Sequence, residues 1–215
     1  MSHDMNCNST QPSLMNHAQA GLMWHPRRGD AWPNPRRSPR AILPHKEEPP
    51  LRPTILFLDT NILLDMPRLE EYRLQNRAVT LVVIPEVMRE LRGLSRAPQR
   101  GQAGSALLAI APLDMLAQRR AGPSGILLGK SGVTVRILAG NPTDGITTDR
   151  QLVLRAGPEQ RRNPGAMVAV VTKDWGVAEI ARAEKVKSVL IRGNACSSEL
   201  ERGVAEHDSS LDIDI

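Results

Sequence analysis

The sequence predicts an α/β protein, a three-layer sandwich around a central, mainly parallel sheet. Short apolar runs rich in Val, Ile and Leu recur between residues 54 and 191, and segments with helical periodicity lie between them. This alternation is typical of parallel strands covered by helices on both faces of a sheet. Only five of the 215 residues are aromatic, so Leu, Val, Ile and Ala must build the core.

The predicted elements follow one another in a regular order. Apolar, β-branched runs of five or six residues are assigned as buried strands, and stretches with a period near 3.6 residues as helices. Pro67 interrupts the first helix, whereas Pro85 suits the first position of the second. In chain order we predict a strand (54–58), a helical stretch (61–66 and 68–76), a strand (79–84), a helix (86–94), a polar loop (95–104), a helix (106–120), a hairpin (125–138) whose second strand is 133–138, a helix (148–156), a strand (168–172), a helix (174–184) and a short strand (188–191).

Composition divides the chain into three regions. Residues 1–52 are rich in Pro and Arg, carry a net charge of +3 and are expected to be a disordered basic arm. Residues 53–192 carry +7 and form the predicted globular domain, and residues 193–215 carry −5 and are expected to be a flexible acidic tail. A basic domain suits a polyanionic partner such as nucleic acid, although ordinary solubility explains the charge equally well.

Several classes of protein are excluded by composition. Cys7 and Cys196 are too few and too distant for a disulfide framework or a zinc site, which favours a reducing, cytoplasmic location. No run of 18 apolar residues is present, so no membrane partner is expected. Of the five histidines only His207 lies beyond the N-terminal arm, so a histidine-based catalytic triad cannot be built in the core.

Carboxylates follow three of the predicted strands. Asp59 comes directly after the first strand, Asp174 follows the strand 168–172, and Asp149 follows the strand 133–138 and its turn. In parallel sheets, ligands bind just beyond the carboxyl ends of the strands. Each Asp alone would be explained as the cap of the next helix. Three acids at one edge of a sheet favour a functional site instead.

A fourth acid comes from the helix 86–94. Its core face consists of Val87, Leu91 and Leu94. At about 100° per residue, Glu90 lies roughly 60–70° from the centre of that face and is predicted to lean inward, whereas Glu86 at roughly 105–110° is predicted to face solvent. An acid beside a core face is costly unless it is paired with a neighbouring Arg or Lys or bound to a metal.

Converging carboxylates need a compensating positive charge. Four ionised acids at one place repel one another, and a hard divalent cation removes that repulsion. Oxygen ligands suit Mg²⁺ or Mn²⁺. A site of this kind is suited to metal-assisted hydrolysis of a phosphodiester.

The same residues resemble a known family. The region 54–191 is similar to the PIN domain, a family of metal-dependent nucleases found among toxin ribonucleases and RNA-processing factors. Its four motifs are matched in order by LDTN at 58–61, VVIPEVMRELRGL at 82–94, TDRQLVLRA at 148–156 and VVTKDWGVAEIARAEKV at 170–186. The resemblance implies that the catalytic, metal-binding acids are Asp59, Glu90, Asp149 and Asp174, with Asn61 and Thr172 in support.

The third acid has a rival. Asp144 lies in the turn before the helix 148–156, only five residues from Asp149. We prefer Asp149 because it begins an amphipathic helix, whereas Asp144 is followed by Gly145 and is typical of a β-turn. Asp65, six residues beyond Asp59, is interpreted as a surface residue.

The resemblance implies a Mg²⁺- or Mn²⁺-dependent endoribonuclease with RNA as substrate. Two further partners stay open, a protein inhibitor (antitoxin) and a second copy of the chain in a homodimer. Two alternatives also stay open: a catalytically silent PIN-like scaffold that binds RNA or protein, and a structure-specific DNA nuclease. The basic residues predicted at the edge of the site, as nucleic-acid contacts, are Arg92, Arg96, Arg100, Arg150 and Lys173.

Overall fold

The computed structural model describes residues 52–97, 101–119, 125–141 and 145–209. These residues form a six-stranded sheet flanked by helices, as the sequence predicts. The strands are β1 (Thr54–Leu58), β2 (Val79–Val83), β3 (Ile126–Leu127), β4 (Val133–Ile137), β5 (Met167–Thr172) and β6 (Lys187–Leu190). The helices are α1 (Thr60–Asp65), α2 (Pro85–Ser95), α3 (Ala103–Gln118), α4 (Thr148–Arg162), α5 (Trp175–Ala183) and α6 (Ser197–Ser209).

The sheet has the strand order β3-β4-β2-β1-β5-β6. All neighbouring strands are parallel except β3 and β4, which form the predicted antiparallel hairpin. Every residue of β1 and β5 is buried, because both strands lie in the middle of the sheet with helices on either side. Continuous apolar runs are therefore the expected sequence pattern for these two strands.

The helices complete the core on both sides of the sheet. Contacts group α1, α2 and α3 together, and α4 with α5. Phe57, Leu81 and Val170 are wholly buried at the centre, so the sparse aromatic content is compensated by branched aliphatic side chains. Among the helices that the structure describes, none combines the length and the apolar composition that a membrane crossing requires.

Two local predictions are wrong. The helix α4 was expected to end at residue 156 but continues through Gly157 and Pro158, because Glu159 in its last turns pairs with Arg136 of β4 at 2.8 Å. Tertiary contacts of this kind outweigh the low helix propensity of Gly and Pro. The stretch 68–76 was expected to be helical but contains only the 3₁₀ turn Leu69–Tyr72.

The predicted flexible tail is also wrong over most of its length. Residues 197–209 form α6, which packs against β6 and buries Leu200 and Val204. The composition of the tail did not reveal this apolar face, and one of the acidic residues also contributes to the docking, since Asp208 pairs with Arg77 of the basic domain at 2.7 Å. The folded domain therefore extends beyond residue 192 to residue 209. The basic arm over 1–51 and the end of the tail, 210–215, lie outside the described residues.

Removal of α6 gives a test of this correction. A chain truncated after residue 196 loses the buried Leu200 and Val204, whose burial contributes about 3–6 kcal/mol. We expect a clear fall in the urea midpoint of unfolding. A chain truncated after residue 209 is the matched control and should unfold at the same midpoint as the full chain. Equal midpoints for all three chains would show that α6 adds no stability.

Candidate active site

The predicted acids meet where the strand order reverses. From β1 the chain builds the sheet outward in one direction through β2 and β4, and then returns to place β5 and β6 on the other side of β1. In open α/β sheets ligands usually bind in the crevice outside the carboxyl ends of the two strands between which the order reverses, which are β1 and β5 here. Asp59 follows the end of β1, and Thr172 ends β5.

Asp59 is buried and held by the neighbouring strand. The Thr172 hydroxyl donates a hydrogen bond of 2.7 Å to Asp59 Oδ2, and the Asp59 amide donates to the Val171 carbonyl at 3.1 Å. Although Asp59 precedes α1, its side chain makes no capping hydrogen bond to that helix. The capping interpretation therefore does not explain this carboxylate, which is oriented by the Thr172 hydroxyl.

The pKa of Asp59 is raised above its ordinary value. Burial is the main cause, and the negative charges of Asp149 and Glu90 raise the pKa further, while hydrogen bonds from the Thr172 hydroxyl and the Thr60 backbone amide oppose them. Placing a carboxylate in these surroundings costs free energy in its ionised form. A positive charge bound nearby would remove that cost.

Glu90 is half-buried and joins three helices. The Thr60 hydroxyl of α1 donates to Glu90 Oε2 at 2.6 Å, and the Thr148 hydroxyl of α4 donates to Oε1. Both carboxylate oxygens are thus oriented by threonine side chains. Sequence reasoning did not single out Thr60 and Thr148, although each directly adjoins a predicted acid in the sequence, which was the available signal.

The prediction for Glu86 is wrong. Glu86 was expected to face solvent, but it is completely buried and pairs with Arg155 of α4 at 3.3 Å. The angle of Glu86 on the helix was judged against the core face of α2 alone. In the folded protein α4 covers a second face of α2, and Glu86 lies between the two helices. Glu86 is therefore a structural residue between α2 and α4, and Glu90 is the acid of α2 that reaches the cleft.

Asp149 interacts electrostatically with each of the other three predicted acids, Asp59, Glu90 and Asp174. Thr147, not Asp149, caps α4, since its side chain accepts a hydrogen bond from the Arg150 amide at 3.4 Å. Asp149 lies in the first turn with its pKa raised, chiefly by burial and then by the charges of Asp174 and Glu90. Its rival, Asp144, lies outside the described residues.

Asp174 occupies a more exposed position than the other acids. Its side chain caps α5 by accepting a hydrogen bond of 2.6 Å from the Gly176 amide, so the capping interpretation is correct for one of its oxygens. Its own amide donates to the Thr172 hydroxyl at 2.9 Å. Thr172 thereby links Asp174 to Asp59, and the charge of Asp174 reaches Asp149.

Asp59, Glu90 and Asp149 line an open cleft of about 480 Å³. We call it the acid cleft. The structure brings Asp59, Glu90 and Asp149 together in its walls, with the predicted supporting residue Asn61 beside them, while Asp174 lies to one side. Gln102, which sequence reasoning missed, also lines it. The full set of lining residues is Asp59, Thr60, Asn61, Leu64, Glu90, Gly93, Leu94, Gln102 and Asp149.

The acid cleft contains the kind of oxygen atoms that a hard cation binds, although they are not already arranged around one metal position. Carboxylate and hydroxyl oxygens dominate the walls, and such oxygens are the ligands that Mg²⁺ and Mn²⁺ prefer. As the side chains stand, no three Asp, Glu, His or Cys residues within the described ranges are arranged to hold a metal ion. Burial and then the neighbouring negative charges raise the pKa of Asp59 and Asp149, and a bound cation would offset both effects.

The predicted nucleic-acid contacts have different surroundings. Lys173 pairs with Asp65 at 2.5 Å, and the Asp65 carboxylate also accepts a hydrogen bond from the Ala195 amide, so Lys173 fastens α1. Arg92 pairs with Asp114 of α3 at 2.5 Å. Arg96 and Arg150 are exposed. Arg100 lies outside the described residues.

The fold and the cleft define a class: α/β proteins with an acidic site at the carboxyl edge of a parallel sheet. Residues 56–192 match the sequence model of the PIN domain family, and this match spans more than half of the chain. The chain belongs to the PIN domain family, whose members are generally nucleases.

Comparisons with individual proteins add less. One similar solved structure is described as a domain of a functionally unknown protein from Methanocaldococcus jannaschii DSM 2661. It is 12% identical in sequence, the similarity covers 66% of this chain and 94% of that one, and the TM-score is 0.42. No curated protein sequence matches the chain.

A pair of substitutions tests whether Asp149 or Asp144 is the third acid of the predicted metal site. We expect Asp149→Ala to lower both Mn²⁺ affinity and cleavage rate by about a hundredfold or more, because Asp149 is fixed in the first turn of α4 and errors of about 1 Å in placement already have such effects. Asp144→Ala should change both values little. Calorimetric Mn²⁺ titration and cleavage rates would be measured for both variants. An inactive Asp144→Ala beside an active Asp149→Ala would assign the third acid to the turn.

Proposed function

We propose that this protein is a Mg²⁺- or Mn²⁺-dependent endoribonuclease that hydrolyses RNA phosphodiester bonds at the acid cleft. The observation that supports the proposal most is the gathering of Asp59, Glu90 and Asp149 at the switch point of the sheet, where burial and mutual repulsion raise the pKa of two of them. Acids held together at such a cost in free energy are typical of functional sites.

The metal-binding residues in this proposal are Asp59, Glu90, Asp149 and Asp174. Bound there, the cation would supply charge compensation, polarise the phosphate and make a water molecule more nucleophilic. The protein's own contribution is orientation. Thr172 fixes Asp59, and Thr60 and Thr148 fix the two oxygens of Glu90, so the carboxylates do not have to be ordered when the substrate binds.

Hydrolysis adds the elements of water across one P–O bond. The oxygen of water forms the new bond to phosphorus, the leaving oxygen of the neighbouring nucleotide takes up a proton, and no oxidant or reductant is required. The basic character of the domain, +7 over residues 53–192, suits a polyanionic substrate. RNA is preferred as substrate on the basis of the family.

A cleavage assay on the purified full chain tests the proposal. Unstructured strands and hairpins would each be prepared as RNA and as DNA of the same sequence. All four would be incubated with Mn²⁺, with Mg²⁺ and with a chelator. We expect endonucleolytic products from RNA with either metal and none with the chelator. Cleavage that persists in chelator would exclude a metal-dependent reaction, and preferential cleavage of structured DNA would reassign the substrate.

One observation favours a second candidate, a catalytically silent scaffold that binds RNA or protein. Within the described part of the chain, no three acidic side chains already stand as metal ligands. A Mn²⁺ titration followed by calorimetry separates the two candidates. A nuclease should bind Mn²⁺ in a manner that Asp59→Asn abolishes, whereas a scaffold has no need of such a site.

A further inference from the structure

A second cavity, larger than the acid cleft, lies along α2. It has a volume of about 850 Å³ and is bounded by α2, the end of α3 and the residues around the end of β4. Two arginines of α2 and the arginine that follows its last residue form one wall, and mostly apolar residues form the rest. We call it the arginine groove and define it by Arg89, Arg92 and Arg96 together with Leu116, Ile137 and Leu138.

The arginines are presented as a row. Arg89 and Arg92 are three residues apart in α2, and Arg96 follows four residues later as the C-cap, so the three arginines lie along one side of the helix and its end. Arg89 and Arg96 are exposed, and neither forms an ion pair with a carboxylate in the described ranges. Arg92 is anchored by Asp114 at 2.5 Å, which fixes the middle of the row. Guanidinium groups are well suited to phosphate oxygens, since they present planar pairs of donors.

The remaining walls are apolar. Leu116 of α3, with Ile137 and Leu138 at the end of β4, presents hydrocarbon to the same space that the arginines border. A free phosphate would leave that surface unused. A nucleotide has an anionic phosphate and a flat base whose two faces are apolar, so it matches a groove with a cationic wall and apolar walls.

The arginine groove and the acid cleft are neighbours on α2. Gly93 is a lining residue of both cavities. A Cβ atom built on Gly93 would have no neighbouring atom within 4 Å, so the surface of α2 is open at this point. Gly93 has no side chain that would stand between the two cavities, so it is the position at which a strand would cross α2.

We propose that the arginine groove binds the part of a single-stranded polynucleotide that lies to one side of the phosphodiester held in the acid cleft. Phosphates contact Arg89, Arg92 and Arg96, bases face the aliphatic walls, and Gly93 provides the passage. This assignment rests on the proposed function for the position of the scissile bond. The groove itself binds by charge and shape, so it binds the strand without metal.

The first test compares two charge-matched variants of the full chain in chelator, where the proposed reaction does not run. One carries Arg89→Gln, Arg92→Gln and Arg96→Gln. The control carries Arg73→Gln, Arg161→Gln and Arg202→Gln, which alter exposed arginines elsewhere on the domain. Affinity for unstructured RNA and DNA oligonucleotides of about 12 nucleotides would be measured over a range of salt concentrations.

We expect the groove variant to lose about tenfold or more in affinity relative to the control. Its plot of log affinity against log salt should be flatter by about 2, since each lost phosphate contact on a single strand removes about 0.7. Equal losses in both variants would overturn the proposal, because they would show a general charge effect. It would also be overturned if the wild type bound polyglutamate but no oligonucleotide, since the groove would then suit an acidic protein partner.

The second test uses Gly93 and leaves net charge unchanged. Gly93→Leu places a bulky side chain in the passage, and we expect about tenfold weaker binding of a 12-nucleotide strand, with little change for one of about 4 nucleotides that can occupy the groove alone. Gly93→Ala is the control, with affinity near wild type. Neither variant should melt below wild type, because the site is open. Unchanged binding of the long strand by Gly93→Leu would refute the passage.

The groove and the proposed function can fail separately. Arginine-dependent binding without cleavage in Mn²⁺ would keep the groove and remove the nuclease. Cleavage in Mn²⁺ together with equal affinities of the two arginine variants would keep the nuclease and remove the groove.

Discussion

Asp59→Asn is expected to abolish cleavage while the fold is preserved. Asn has the size of Asp and its amide oxygen can still accept the hydrogen bond from Thr172, but the negative charge that would hold the cation is lost. We expect the loss of the cation to remove several kcal/mol of transition-state stabilisation, which lowers the cleavage rate about a thousandfold. Cleavage rates at saturating Mn²⁺, with circular dichroism as a check of folding, measure this effect. Wild-type activity in the purified variant would remove Asp59 from the site.

The same variant carries a stability prediction with a definite sign. Because the folded protein raises the pKa of Asp59, ionisation of this carboxyl destabilises the fold as the pH rises through the folded pKa. Without metal, Asp59→Asn should therefore melt at the same or a higher temperature than wild type near neutral pH. The difference should shrink on acidification below the ordinary pKa of Asp, where the carboxyl is protonated in both states. A variant that melts lower at neutral pH would contradict this account of the site.

Glu90→Gln is expected to have the second largest effect. Both oxygens of Glu90 accept hydrogen bonds from threonine hydroxyls, and a Gln side chain would present an NH₂ group to one of them. The lost charge and the disturbed orientation should together reduce cleavage by about a hundredfold or more. The melting temperature should change little, because Glu90 is only half-buried.

Glu86→Gln is the matched control on the same helix. Glu86 is buried against Arg155, so the loss of its charge should lower the free energy of unfolding by about 2 kcal/mol. The folded fraction should retain most of its activity. Comparison of rate and melting temperature in the two variants thus separates the acid of the cleft from the structural acid. A larger loss of activity at Glu86 would reverse the two assignments.

Much of the fold could be predicted because its signals are local. The strands β1 and β5 are buried on both faces, and such strands are continuous apolar runs in any sequence. Asp59 and Asp174 were found for the same reason: the ends of these runs are visible in the sequence, and parallel strands bring their carboxyl ends to one edge. The match to the PIN domain family covers the same region.

The errors share a different cause. Glu86 was misplaced because its burial depends on α4, an element more than 60 residues away in the chain. The tail over 197–209 was misjudged because Leu200 and Val204 are buried, and Asp208 meets Arg77, only once the domain has folded. Helix angles and composition describe one segment at a time, and they contain no information about a second packing surface.

The sequence by itself determined the α/β class, the order of the elements and the acids that follow the strands, because period and apolar length are properties of contiguous residues. Only the tertiary structure decided how those acids are used. It placed Thr60 and Thr148 on the two oxygens of Glu90, left Asp174 partly as a helix cap, and put the arginine groove beside the cleft. These relations join residues from separate helices and strands, and hydrogen bonds and shared cavities depend on distances that exist only after the chain has packed.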